Sequence, residues 1–290
     1  MHMRQRTVGF ISTVLAIVII FMSFPVRTNA QTPLILGIHP FLSSTELYRR
    51  FSPLADYLGR ELDRPVQIHI ASSYESHINS IGRGKIDIAF MGPASYVKLN
   101  RSFGRVPLLA AFETNGSRTF RGVIVVRKDS QIKTLSQLRG KKFAFGDVNS
   151  TMSHLVSRYM LLKAGVDVKH LSKADFLTNH DNIALGVLSG NFDAGALKED
   201  IYDQYAQQGL RALAISDPMP DHIFVARAGL PDDTVRKVSE ILLSLKDTED
   251  GRLVLSSIQK NLTALVPVRD GDYAPLRRLL DFLVKAGVKP

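Results

Sequence analysis

Between Leu34 and Ala226, short apolar runs alternate with stretches of helical period almost without a break. That alternation confines the chain to layered α/β folds. Leu34–Ile38 reads as a strand. Ser43-x-x-Glu46 has capping-box spacing, and Leu47, Phe51, Leu54, Tyr57 and Leu58 then follow at helical intervals. Pro65–Ile70 alternates as a strand does, Glu75–Ile81 is a short helix, and Lys85–Phe90 is a strand. Gly92-Pro93 turns the chain into a helix at Ala94–Leu99, and the strand Val106–Phe112 leads to the polar stretch Glu113–Arg118.

The pattern restarts at Gly122. Strands are expected at Gly122–Val126, Lys142–Phe145, Ala174–Leu177, Phe192–Ala196, Ala212–Ile215 and Ile223–Ala226. Helices are expected at Ser150–Ala164, Asp181–Leu188 and Glu199–Gln207, and the tail reads as three helices, Pro231–Leu245, Thr248–Gln259 and Tyr273–Ala286. Gly84-Lys85-Ile86-Asp87-Ile88-Ala89 is echoed by Gly190-Asn191-Phe192-Asp193-Ala194-Gly195, each after a short helix and opening a strand. Restart and echo together suggest two lobes of similar build. The expected division is residues 31–117 with 214–290 for the first lobe and 118–213 for the second. A ligand would sit between them, at the carboxyl ends of the strands.

The first 30 residues stand outside this pattern. Arg4 and Arg6 precede an apolar run from Val8 to Phe24, Pro25 breaks it, and Thr28-Asn29-Ala30 offers a small-residue cleavage site before Gln31. That order is a secretory signal peptide, with an uncleaved membrane anchor as the alternative. The chain has no cysteine, so an exported product must rest on its hydrophobic core and has no thiol for a lipid anchor. The net charge is +10, three of it from Arg4, Arg6 and Arg27. The remaining charges are scattered, with no basic helix face interleaved with aromatics, which argues against nucleic acid as a partner.

Two strand–turn–helix junctions carry the candidate chemistry. Phe145-Gly146-Asp147-Val148-Asn149-Ser150-Thr151-Met152-Ser153 ends a strand, turns at Gly146 and opens a helix with hydroxyl residues. Free N–H groups and the positive end of the helix dipole there suit an anion, with Ser150 and Thr151 as further donors. Ordinary N-capping explains the same residues. Phe90-Met91-Gly92-Pro93-Ala94-Ser95-Tyr96 has the same form. Ser95 stands in a Ser-x-x-Lys spacing with Lys98, but the companion motifs of serine enzymes that use it are missing. Gly82-Arg83-Gly84 lacks the third glycine of a dinucleotide fingerprint. The eight histidines include no closely spaced metal pair. No catalytic residue, metal or cofactor is therefore expected. His180, between a strand and a helix, is a cap or a ligand contact; Tyr74 closes a pocket or packs in the core; His39 reads as structural.

Several of these segments resemble the phosphate/phosphite/phosphonate-binding proteins of ABC importers, which have a two-lobed α/β fold of the type II periplasmic binding class with the ligand cleft between lobes. The marks run from about Leu34 to Leu245. They are Pro53-Leu54-Ala55-Asp56-Tyr57-Leu58, the Gly84–Tyr96 segment, Gly146-Asp147-x-Asn149-Ser150-Thr151, Asn179-His180-Asp181-Asn182, Gly190-x-x-Asp193-Ala194-Gly195 and Ser216-Asp217-Pro218-Met219-Pro220. The resemblance implies a periplasmic, monomeric binding protein that holds a small anion and docks on an ABC permease. A sensor kinase's outer domain is the alternative partner. It implies ligand contacts from Tyr74, Ser150, Thr151 and His180, and it extends the candidate set to Ser95, Ser153 and Asp221. The chain departs from the family's pattern at Val148, Met152 and Ser153. It departs again at Pro220-Asp221-His222-Ile223, where Asp221 is displaced by one position and His222 stands where an acid is expected.

Overall fold

The computed structural model describes residues 31–288; the signal-peptide expectation for residues 1–30 lies outside them. In chain order the first elements are β1 (Leu34–Ile38), α1 (Ser44–Glu61), β2 (Val66–Ile70), α2 (Tyr74–Gly82), β3 (Ile88–Met91), α3 (Pro93–Phe103) and β4 (Leu108–Thr114). A short strand β5 (Thr119–Phe120) leads to β6 (Gly122–Arg127), β7 (Lys142–Phe145), α4 (Ser157–Lys163), β8 (Lys173–Phe176), α5 (His180–Leu188), β9 (Ala194–Lys198), α6 (Glu199–Ala206) and β10 (Leu210–Ile215). A second short strand β11 (Met219–Pro220) returns the chain to β12 (Ile223–Ala226), α7 (Asp232–Ser244), α8 (Glu249–Ile258), β13 (Leu262–Val266) and α9 (Ala274–Lys285).

Two sheets organise these elements. One has the order β13-β4-β12-β3-β1-β2, the other β10-β6-β9-β7-β8. In each, parallel strands joined through helices occupy one side: β2, β1 and β3 in the first, β8, β7 and β9 in the second. Antiparallel strands complete the other side. The chain passes from the first sheet to the second through β5 and returns through β11, and these two pair antiparallel as Phe120↔Met219 and Thr119↔Pro220. The result is a two-lobed α/β protein. β10 continues to Ile215, which pairs with Val123, so the second sheet runs past the boundary expected at Leu213.

Local sequence explains most elements. Ser43 caps α1 by accepting the Glu46 N–H at 3.4 Å, as its spacing suggested. The Glu46 carboxylate does not complete a capping box; it binds Arg49 and Arg50 at 2.9 and 2.7 Å, which holds its pKa down at about 2. Leu47, Phe51, Leu54 and Leu58 line the buried face of α1. Two features differ from the sequence reading. β13 pairs with β4 through a bulge between Leu262 and Ala264, which disrupts the period-two pattern that would announce it. The helix after Ser150 opens as a π-turn, Thr151–Val156, and only then becomes α4. No helix among the described residues is long and apolar enough to cross a membrane.

Candidate functional site

The loop after β7 and the loop after β3 meet between the lobes. Gly146 makes the first turn possible, because a Cβ there would run into Ser153 Oγ. Ser150 caps the π-turn: its Oγ accepts the Ser153 N–H at 3.4 Å and the Ser153 hydroxyl at 2.6 Å. Both bonds use the oxygen, so the hydrogen of Ser150 stays free to donate. Thr151 is in the same condition, since its Oγ1 accepts the Ala94 N–H from the facing loop at 3.0 Å. Pi-turns concentrate at functional sites because they widen the helix and re-aim side chains.

Around this junction lies a small cavity of about 10 Å³, lined by His39, Phe41, Tyr74, Gly92, Phe120, Ser150, Thr151, Met152, His180, Lys198 and His222. Every strand that ends here contributes its loop or last residue, as expected at the carboxyl ends of parallel strands. Tyr74 stacks on His39 with ring centroids 4.8 Å apart, and burial raises its hydroxyl pKa far above the usual value. His39 accepts the Gly92 N–H on Nδ1 at 3.1 Å, while its Nε2 is buried without a partner. Burial first, then the neighbouring His222, hold His39 neutral. His180 accepts the Lys198 N–H on Nδ1 at 3.3 Å, and burial lowers its pKa to about 3. His222 pairs through Nδ1 with Asp221 Oδ1 at 2.8 Å; burial lowers its pKa, with Asp221 pulling the other way.

Lys198 is the fixed positive charge of the cavity. It sits at the end of β9 with its side chain 7% exposed, against Asp200 at 3.1 Å and over the ring of Phe41 at 5.3 Å. It also reaches across to Gln259 Oε1 of the first lobe at 3.1 Å. A second bridge lies nearby, where Lys98 joins Glu75 Oε2 at 2.9 Å and Asn149 Oδ1 at 2.8 Å. The His180 N–H donates to the Phe41 carbonyl at 3.2 Å, a further contact between lobes.

Of the seven expected contacts, the structure brings Tyr74, Ser150, Thr151 and His180 to the cavity. The other three lie elsewhere. Ser95 is one helical step past Ala94, which turns its side chain into the packed interior, where Oγ is buried without a partner. Ser153 points back at Ser150 and Gly146. Asp221 stands behind His222, its Oδ1 taken by the ring and by the His222 N–H at 2.7 Å, and it borders a larger open groove instead. The sequence reading missed Lys198, gave His39 a structural role and named His222 only as a departure. A lone lysine ending the apolar strand Ala194-Gly195-Ala196-Leu197-Lys198 was the available signal.

A two-lobed α/β protein with an anion-suited cavity at the carboxyl ends of its strands is a solute-binding protein of the type II periplasmic class. Residues 36–273 match the family described as "ABC transporter, phosphonate, periplasmic substrate-binding protein". The chain belongs to this family. It is 30% identical over 189 residues to a probable ABC transporter phosphite binding protein, PhnD1, of Prochlorococcus marinus, covering 62% of this chain and 63% of that one. It is 26% identical over 271 residues to the phosphate-import protein PhnD of Mycolicibacterium smegmatis, covering 85% and 84%. The solved structure of the Prochlorococcus marinus protein in complex with methylphosphonate superposes with a TM-score of 0.80 at 24% identity, covering 87% of this chain and 98% of that one.

Proposed function

We propose that this protein captures a small tetrahedral oxyanion of the phosphonate, phosphite or phosphate type in the periplasm and delivers it to an ABC permease. The carrying observation is the cavity between Ser150-Thr151 and His39, where hydroxyls, imidazole N–H groups and the Lys198 ammonium converge and no carboxylate lines the wall among the described residues. An oxyanion there exchanges its water shell for charge-assisted hydrogen bonds. Tyr74, Ser150, Thr151, His180, His39, Lys198 and His222 are the contacts assigned to it. The lobe boundaries that go with this reading fall in the two crossovers around β5 and β11. The protein acts by binding and closing, without turning its ligand over. The names of the relatives, a phosphite binding protein and a phosphate importer, support the ligand class.

A thermal-shift screen of purified protein against phosphate, phosphite, methylphosphonate and aminoethylphosphonate tests this. A ligand that binds only the folded state raises stability by about 2.7 kcal/mol at a hundred times Kd. A melting curve unmoved by all four at millimolar concentration would rule the reading out.

A further inference from the structure

Asn149 directly precedes Ser150 and Thr151, yet its side chain forms no part of the cavity wall. Its amide faces the other lobe. Oδ1 accepts from Lys98 Nζ at 2.8 Å, and Nδ2 donates to Glu75 Oε2 at 3.4 Å. Lys98 and Glu75 also pair with each other at 2.9 Å. One amide of the second lobe thus closes a three-membered polar ring with an ion pair of the first. Asn149 is 3% exposed, whereas the side chains of Lys98 and Glu75 are 33% and 52% exposed. Leu155 of the π-turn, Ala94 and Val97 of α3 and Leu280 of α9 form an apolar seam beside the ring.

The three members differ in what they need. Lys98 and Glu75 belong to one lobe, so their pairing survives any movement between lobes, and an ion pair this exposed contributes little by itself. Lys98, against partial burial and with help from Asn149, holds the Glu75 carboxyl below its usual range. Asn149 alone depends on the lobes being together: when they part, both of its charge-assisted contacts are lost to water. Its backbone is held separately. The Asn149 N–H donates to Asp147 Oδ1 at 2.8 Å, and the Ser150 N–H donates to the Asp147 carbonyl at 2.8 Å. Removing the Asn149 side chain therefore leaves the turn that presents Ser150 and Thr151 in place.

We propose that Asn149 is a positioning residue for capture, which clasps the Lys98–Glu75 pair as the lobes close and so sets how long a ligand is held without touching it. This rests on the oxyanion reading above. Thr151, His180 and Lys198 also reach across, but they line the cavity, so that ligand contact and closure are merged in them. Asn149 separates the two. A contact made only in the closed form favours that form by its own free energy and no more. Release requires the clasp to open, whereas arrival precedes its formation, so the effect falls on the dissociation rate. Lys98, whose Ser-x-x-Lys spacing with Ser95 led to no enzyme motif, acts here as the donor that meets the second lobe.

Stopped-flow tyrosine fluorescence and calorimetry with methylphosphonate test the proposal, together with a distance measurement between spin labels. The chain has no cysteine, so Glu61→Cys and Lys141→Cys place one label on each lobe, near the amino ends of β2 and β7 and away from the cavity. Asn149→Ala should weaken binding about tenfold, equivalent to about 1.4 kcal/mol. The loss should appear as faster release, with the association rate within about twofold of wild type. The ligand-bound variant should show a larger share of the longer label distance. Lys98→Met should act likewise, and the double variant should lose no more than the worse single one, because both remove the same contact. Four results overturn the proposal while leaving the oxyanion reading intact. They are an unchanged release rate in Asn149→Ala, a loss carried by association, faster release with unchanged label distances, and single losses that add in the double variant. If Asn149→Ala does not fold, Lys98→Met decides by the same kinetic split: faster release supports the proposal, and unchanged release overturns it. Failure of the wild type to bind methylphosphonate, phosphite or phosphate overturns both readings.

Discussion

Thr151 Oγ1 accepts the backbone N–H of Ala94 at 3.0 Å, and the two residues belong to different lobes. One side chain therefore joins the halves of the cleft and keeps a hydroxyl hydrogen for the anion proposed to lie in it. Thr151→Ala removes both effects. Loss of a hydrogen bond to a charged group costs about 1.5–3 kcal/mol. Binding should weaken about 10- to 150-fold by calorimetry. The empty protein should also lose stability, by about 1–3 kcal/mol, because the buried Ala94 N–H is left without its acceptor.

Gly92 has φ −71° and ψ 154°, a conformation open to any residue, so Gly92→Ala should fold normally. The added methyl would stand 3.4 Å from Thr151 Oγ1 and 3.8 Å from His39 Cε1, inside the cavity proposed for the anion. Affinity should drop by about tenfold or more, the equivalent of about 1.4 kcal/mol. Unchanged affinity would move the anion away from Gly92.

Lys198 and Asp200 form a pair with little solvent around the ammonium. Lys198→Met should lose anion binding and also lower the melting temperature, because it leaves a carboxylate without its partner. Lys198→Met combined with Asp200→Asn should regain stability and not binding. Recovery of binding in the double variant would show that the ammonium is a structural charge only.

Burial lowers the pKa of His77 to about 3, His154 to about 4 and His180 to about 3. The unfolded chain takes up these protons near pH 6.5, and the folded protein does not. Unfolded protein therefore binds more protons below that pH, and stability must fall as pH falls. The slope is at most about 1.4 kcal/mol per histidine per pH unit. The melting temperature of the ligand-free protein should decline between pH 7 and pH 5.5, above the usual carboxylate range. A level melting temperature over that interval would mean that these rings protonate within the folded state.

The fold was largely legible because its signals are local. Gly37 and Phe90 lie in short apolar runs, Ser43 stands before a helical period, and Gly122 marks a restart; each follows from neighbours in sequence. β13 escaped because its bulge broke the alternation, and the π-turn at Thr151 escaped because an extra residue per turn leaves no mark in composition. The site was half legible. Ser150 and Thr151 announce themselves at a strand–helix junction, as does His180. Lys198, His39 and His222 do not, since their meaning depends on contacts between distant segments, such as the Gly92 N–H fixing His39. Asp221 shows the converse: its residue type suited the chemistry, but the ring that follows it in the chain occupies the place at the cavity.

Phe120 belongs both to the cavity wall and to the β5–β11 ribbon that carries the chain between lobes. Two strands laced side by side bend readily across their faces and resist sliding, so the lobes are left with essentially one mechanical coordinate. An anion held as proposed would sit next to this crossover, on a short lever arm, while the rims of the lobes sit on a long one. A displacement of atomic size at Phe120 would become a much larger swing at the periphery, so that a ligand of a few heavy atoms would set the outline of the whole molecule.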